Sequence, residues 1–226
     1  MSARDTLFAS IRASLGVTGA EPARRAAVAE RLEQHPRGVI PARGQLPAAE
    51  RVKLFVQMVE AANGSVDILG SPDDVPAAVA ALLRRHNLPM QVRRGDDARL
   101  AALPWNKQRQ LEVTTGASDG RQLVSISHAF GGVAETGTLV MASGTDNPTT
   151  LNFLPDTHVV VLNAKDIAGD YETVWARVRE RFGTDALPRN INLITGPSRS
   201  ADIAQILILG AHGPRRLHVL VVGNPD

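Results

Sequence analysis

The chain has 226 residues, of which 43% are hydrophobic and 21% charged, and its formal net charge is +2. That length and balance suit one large globular domain with an appendage and exclude bulk disorder. The absence of cysteine excludes disulfides, a thiol nucleophile, cysteine-ligated zinc and any cysteine-ligated iron–sulfur cluster held by this chain itself.

The isoelectric point of about 9.5 is not a nucleic-acid signature. With one tyrosine and no cysteine, little titrates between the histidines and the three lysines, so a small basic excess moves the isoelectric point far. No stretch interleaves basic and aromatic residues as single-strand binders do. Only 4% of residues are aromatic, which leaves aliphatic side chains to fill the core. No apolar run approaches the length of a membrane span, and a cytoplasmic protein is expected.

In chain order, residues 1–16 read as an amphipathic helix carrying Leu7, Phe8, Ile11 and Leu15 and ending at Gly16, although Arg4 and Arg12 among serines faintly suggest a transit peptide. Residues 17–46 read as an arginine- and proline-containing arm, helical over 22–34 and then an irregular linker. Such an arm either wraps its own domain or reaches a neighbouring subunit in a homo-oligomer. The α/β domain is expected over 47–226.

Residues 47–63 form a helix with Val52, Phe55, Val56 and Val59 on one face and Asn63-Gly64 as its stop. A strand over 65–69 follows. Asp73 or Asp74 then starts a helix over 75–86, before a strand over 90–93. That strand–helix–strand unit favours parallel pairing through a right-handed crossover. A weak helix is expected around 97–103, then strands over 111–114 and 123–127 packed against residues 139–141. Asp170 caps a helix running to Phe182 and stopped by Gly183; strands follow at 192–195 and 217–222. The apolar run 203–209 fits helix or strand equally.

Residues 131–163 organise the chain. Two apolar strands, 139–141 and 158–162, flank polar turns, and loops leaving rigid strand ends are where α/β proteins carry their sites. Glu135, followed by Thr136, Gly137 and Thr138, is the best candidate for chemistry. Its carboxylate can serve as a general base or as a nucleophile, or can instead accept backbone hydrogen bonds and hold its own loop.

A second candidate is the loop Gly196, Pro197, Ser198, Arg199, Ser200, Ala201, Asp202. Its hydroxyls and backbone N–H groups can donate to an anion while Arg199 grips a carboxylate or phosphate; alternatively Asp202 caps the next segment and pairs with Arg199. His128 and His212 stand beside glycine-rich turns as structural hydrogen-bonding residues. No metal-ligand spacing and no glycine-rich nucleotide fingerprint is present, so no metal or cofactor is expected on this chain.

Three blocks together carry a resemblance: Ala134 to Thr138; Asn147 through Leu154-Pro155-Asp156-Thr157-His158; and Gly196 through Ile203 with Gly210-Ala211-His212-Gly213-Pro214. They resemble the lactate-utilization protein C family, built on the LUD domain. The resemblance implies an α/β fold with a central mixed, largely parallel sheet flanked by helices, of the class shared by sugar-phosphate isomerases and CoA transferases. It also implies a bacterial system that oxidises L-lactate to pyruvate, in which iron–sulfur partner proteins hold the clusters and this chain is a non-redox component with a small-anion pocket. Equating Glu135 with the catalytic glutamate of CoA transferases is analogy, because Ala134 and Thr136 do not reproduce that signature. The alternatives are a stand-alone enzyme on a CoA thioester, folate or phosphosugar, with Glu135 as base or nucleophile and Ser198, Arg199 and Ser200 as the anion grip, and a lactate-sensing module.

Overall fold

The structure is a computed structural model that describes residues 2–183, 186–200 and 208–225. The chain forms two compact units, Met1–Ile40 and Pro41–Asp226. In the first, helix α1 (Ala3–Leu15) starts with a capping box. The Ser2 hydroxyl accepts from the Asp5 N–H at 3.2 Å and the Asp5 carboxylate accepts from the Ser2 N–H at 3.0 Å, which satisfies two of the orphan donors of a helix start. Gly16 ends it in the left-handed conformation, and α2 (Pro22–Gln34) opens on proline, whose missing N–H costs nothing there.

The second unit contains helices α3 (Ala48–Ala61), α4 (Val75–Arg85), α5 (Ala98–Ala101), α6 (Thr149–Phe153) and α7 (Tyr171–Phe182). Its strands are β1 (Ser65–Leu69), β2 (Gln91–Arg94), β3 (Glu112–Thr115), β4 (Val124–His128), β5 (Gly131–Val133), β6 (Thr138–Ala142), β7 (Thr157–Asn163), β8 (Ile167–Ala168), β9 (Ile191–Ile194), β10 (Arg199–Ser200), β11 (Ile208–Leu209) and β12 (Arg216–Val222). Six strands form a wholly parallel sheet in the order β1-β12-β7-β4-β2-β3. Four more form a second sheet, β8-β5-β6-β9, in which β6 runs antiparallel to both neighbours.

Strand β7 explains the layering. Its side chains alternate between faces, and both faces are buried, so the run His158-Val159-Val160-Val161-Leu162 is apolar nearly throughout. Val160 and Leu162 pack with Phe55 and Val59 of α3 and Leu139 and Met141 of β6, whereas Val159 and Val161 pack with Val79 and Leu83 of α4 and with Leu100. Helix α7 then covers the far face of the second sheet, through Val174 and Val178 against Val133 and Val140.

Two expectations differ from the structure. The strands expected over 111–114 and 123–127 lie in the parallel sheet as β3 and β4, while residues 139–141 belong to the second sheet. Strands β1 and β2 are parallel but not adjacent; β12, β7 and β4 lie between them. Glycines 131 and 132 build strand β5. A Cβ on Gly132 would meet Leu162 Cδ2 at 2.9 Å and Phe55 Cε2 at 3.0 Å, so only glycine lets β5 press onto the core.

His158 and His218 are buried histidines within this parallel sheet. His158 Nε2 lies 3.1 Å from the Ser127 hydroxyl, and burial pushes its pKa down to about 3. A histidine kept neutral in the fold but titrating near its ordinary value when unfolded contributes stability above that ordinary value, and the contribution is lost as the pH falls. Between pH 7 and pH 4 the loss attributable to His158 is about 3 kcal/mol. Urea unfolding at both values, compared with His158→Gln, should show the variant losing less stability on acidification by roughly that amount.

Candidate functional site

Strands β2 and β4 are neighbours whose onward connections diverge, β2 continuing to β3 on one side and β4 to β7 on the other. In an open parallel sheet that divergence opens a crevice beyond the carboxyl ends of the two strands, where ligands bind. A cavity of about 460 Å³ lies there. Two loops close it, and they are stitched by a hydrogen bond from the Asp96 N–H to the Thr145 carbonyl at 3.1 Å. Gly95 permits the approach, since a Cβ there would collide with the Asp146 carbonyl.

Asp97 is buried, 3% exposed, and accepts from the N–H groups of Arg99 and Leu100 at the start of α5. Arg99 grips the same carboxylate in two-pronged fashion, Nε to Oδ1 at 3.0 Å and Nη2 to Oδ2 at 2.6 Å. Burial would raise the Asp97 pKa, but the guanidinium and the backbone donors outweigh it and hold the carboxyl below its ordinary value. Nη1 of Arg99 has no partner among the described residues and lies on a side chain that lines the cavity.

His128 ends β4 and is buried in the same wall. Its Nδ1 is 2.9 Å from the Ala129 carbonyl, which can only accept, so Nδ1 carries the proton and Nε2 keeps its lone pair in the neutral ring. Burial, reinforced by the Arg99 charge, lowers the imidazole pKa. Phe130 and Phe182, with ring centroids 5.7 Å apart, form an aromatic flank, and the Arg181 guanidinium sits 5.5 Å over the Phe182 ring. The exposed carboxylates of Asp96 and Asp146 also line the cavity, and Asn147 holds its loop by donating to the Ala142 carbonyl at 3.2 Å. The arrangement suits a small ligand with an anionic end for Arg99 and Arg181 and a hydroxyl donor for His128.

Apart from His128, expected as a structural hydrogen-bonding residue, the residues singled out from the sequence occupy other places. Glu135 sits in the four-residue β5–β6 hairpin turn, buried, with its N–H donating to the Gly169 carbonyl at 3.3 Å and its Oε2 without a partner among the described residues. Thr136 and Thr138 enter a hydroxyl cluster: the Thr138 hydroxyl lies 2.7 Å from that of Thr136, 2.7 Å from that of Tyr171 and 2.6 Å from that of Thr195. Gly137, at φ +66°, packs on the backbone of Met58 and Val59, and Gly196, at φ +71°, on the carbonyl of Ala62. The Thr138–Thr195 contact thus joins the two stretches singled out from the sequence at one end of α3.

Ser198 and Arg199 line a separate cavity of about 280 Å³ with Gly196, His158 and His212. Ser200 pairs with Ile208 in the β10–β11 ribbon, and Asp202 lies outside the described residues, as does most of the run 203–209. None of Asp97, Arg99 and Arg181 was singled out for function from the sequence. The available signal was Gly95-Asp96-Asp97 with Arg99 directly after a strand, a pattern too short to separate from an ordinary helix start.

The fold and this crevice define a doubly wound α/β protein with a candidate site at its topological switch point. The family model described as the LUD domain matches residues 52–222, and the chain belongs to that family. It is 31% identical over 151 residues to an uncharacterized protein of Neisseria meningitidis, covering 65% of this chain and 64% of that protein. It is 34% identical over 107 residues to lactate utilization protein C of Geobacillus thermodenitrificans, covering 46% of this chain and 45% of that protein. Against lactate utilization protein C of a further Geobacillus strain the identity is 38% over 91 residues, or 38% of that protein's length. The matches therefore span less than two thirds of these relatives. A crystal structure of a DUF162 family protein from Deinococcus radiodurans superposes with a TM-score of 0.58 at 24% identity, over 79% of this chain and 99% of that one, and shares the fold.

Removing Arg99 leaves the buried Asp97 carboxylate without its charge partner. In Arg99→Ala the Asp97 pKa should rise, read from its carboxyl resonance on titration, and stability at pH 7 should fall by about 1–3 kcal/mol.

Proposed function

We propose that this chain is the small-anion-binding, non-redox component of a bacterial lactate utilization system, and that its switch-point cavity receives a 2-hydroxy carboxylate such as L-lactate. The observation that carries the reading is the juxtaposition of Arg99 and a neutral, buried His128 in that cavity, taken with membership of the LUD domain family and relatives named lactate utilization protein C. The ligand carboxylate accepts from Arg99 Nη1 and Arg181. Its hydroxyl donates to His128 Nε2, which is poised to hold that proton as C2 is oxidised. As the C2–H bond breaks, its two electrons would pass singly to iron–sulfur clusters held by partner proteins and its proton to solvent, since this cysteine-free chain carries no cysteine ligand for such a cluster. The cavity is larger than a three-carbon acid fills, which leaves access for such a partner.

Calorimetric titration of the full chain with L-lactate tests the pocket. Arg181→Ala should raise Kd about tenfold, the loss of one charge-assisted contact. The pH dependence has a defined sign. Neutral His128 accepts from the hydroxyl and imidazolium cannot, so lactate binding should hold from pH 8 to the ordinary histidine range and weaken below the depressed His128 pKa. Acetate, which has no hydroxyl, should bind more tightly as the imidazolium forms. Parallel strengthening of both ligands on acidification would remove His128 from the hydroxyl contact. For the partners, affinity purification from the native host grown on lactate should recover cysteine-rich, iron-containing proteins; a protein that elutes alone and iron-free would count against the complex.

A further inference from the structure

A further cavity, of about 310 Å³, lies at the opposite end of the parallel sheet, beside the amino ends of β1, β7 and β12 and the carboxyl end of α4. Arg85, Arg215 and Arg216 line it, and no carboxylate does. None of these three arginines makes an ion pair among the described residues. Arg85 is in the last turn of α4, where a cation is favoured by the helix dipole, but Arg215 and Arg216 have no such partner. Two buried polar groups back the cavity: the Thr157 hydroxyl, which has no hydrogen-bond partner among the described residues, and His218, whose Nδ1 lies 2.8 Å from the Ser65 hydroxyl and whose Nε2 lies 3.4 Å from the Asp67 carboxylate. The potential is felt locally, since burial and then the charges of Arg216 and Arg85 lower the pKa of His86, and Arg85 and His86 act against Asp67 at His218.

We propose that this cavity binds a phosphate-bearing small molecule, its phosphate gripped by Arg85, Arg215 and Arg216 and bordered by His86. Guanidinium forks match the tetrahedral oxygens of a phosphate in pairs, and several in one concavity suit a group carrying more than one negative charge. A concave wall with buried hydroxyl and imidazole groups fits a small ligand better than an acidic protein surface, which needs only exposed cations. The site is separate from the lactate cavity and does not depend on it.

The probe is pyrophosphate, titrated calorimetrically into the full chain at low ionic strength in two buffers of different ionisation enthalpy. One site is expected, with Kd raised at least about tenfold in the Arg215→Ala, Arg216→Ala double variant and unchanged in Arg99→Ala. Arg216→Lys, which keeps the charge and loses the fork, should weaken binding severalfold while preserving the circular dichroism spectrum. Near pH 6 the wild type should take up more protons on binding, or release fewer, than His86→Gln, because the anion raises the lowered His86 pKa while the ionisation of pyrophosphate itself is common to both. No saturable binding by the folded wild-type chain would overturn the proposal, as would a Kd unaffected by the double variant. Equally tight binding of citrate or of poly-glutamate would assign the cavity to carboxylates instead and overturn it too.

Discussion

The structure depends on burying both faces of one strand. β7 contributes Val160 and Leu162 to the core shared with α3 and the second sheet, and Val159 and Val161 to the core shared with α4 and α5. A fully buried side chain of this size gains roughly 1.5–3 kcal/mol over exposure, so the alternating residues of β7 and β12 fix the register of the parallel sheet. A slip of one residue would exchange the two cores and carry the buried His158 to the wrong side. The strand order held in that way is also what sets β2 and β4 side by side with diverging connections, and therefore what creates the crevice.

Within the crevice one guanidinium serves two groups. Arg99 holds Asp97 ionised against the cost of burial, and the same charge helps keep His128 neutral. An acidic cap, a cation and an unprotonated imidazole are thereby held within one wall with opposite responses to pH. A ligand carboxylate arriving at Arg99 would share a cation already engaged by Asp97, so the proposed ligand would need its hydroxyl contact with His128 as well.

The two ends of the sheet differ in chemistry. At the carboxyl ends of the strands acids and bases are mixed around an aromatic flank, whereas at the amino ends of β1 and β12 the cavity lining is cationic without acids. The two candidate pockets thus lie at opposite ends of the strands of one rigid sheet.

Local sequence determined a great deal. The helices at 22–34 and from Asp170 to Phe182, and the strand at 65–69, were legible because periodicity, caps and stops act within a few residues. The family resemblance was legible in three blocks. Hidden were the glycine strand β5, whose reason is Leu162 and Phe55 pressing from other elements, the short β8 and the helix α6. The candidate site was hidden for the same cause. Glu135 and the threonines beside it looked chemical in isolation, yet the fold turns the hydroxyls of Thr136 and Thr138 toward Tyr171 and Thr195. Asp97, Arg99, His128 and Arg181 look ordinary in the chain and meet only because β2, β4 and the end of α7 converge on one cavity. Composition, helix ends and strand periodicity are local and were set by the sequence itself; strand order, the switch point and the partners of buried charges come from contacts between residues far apart in the chain, and only the tertiary structure decides them.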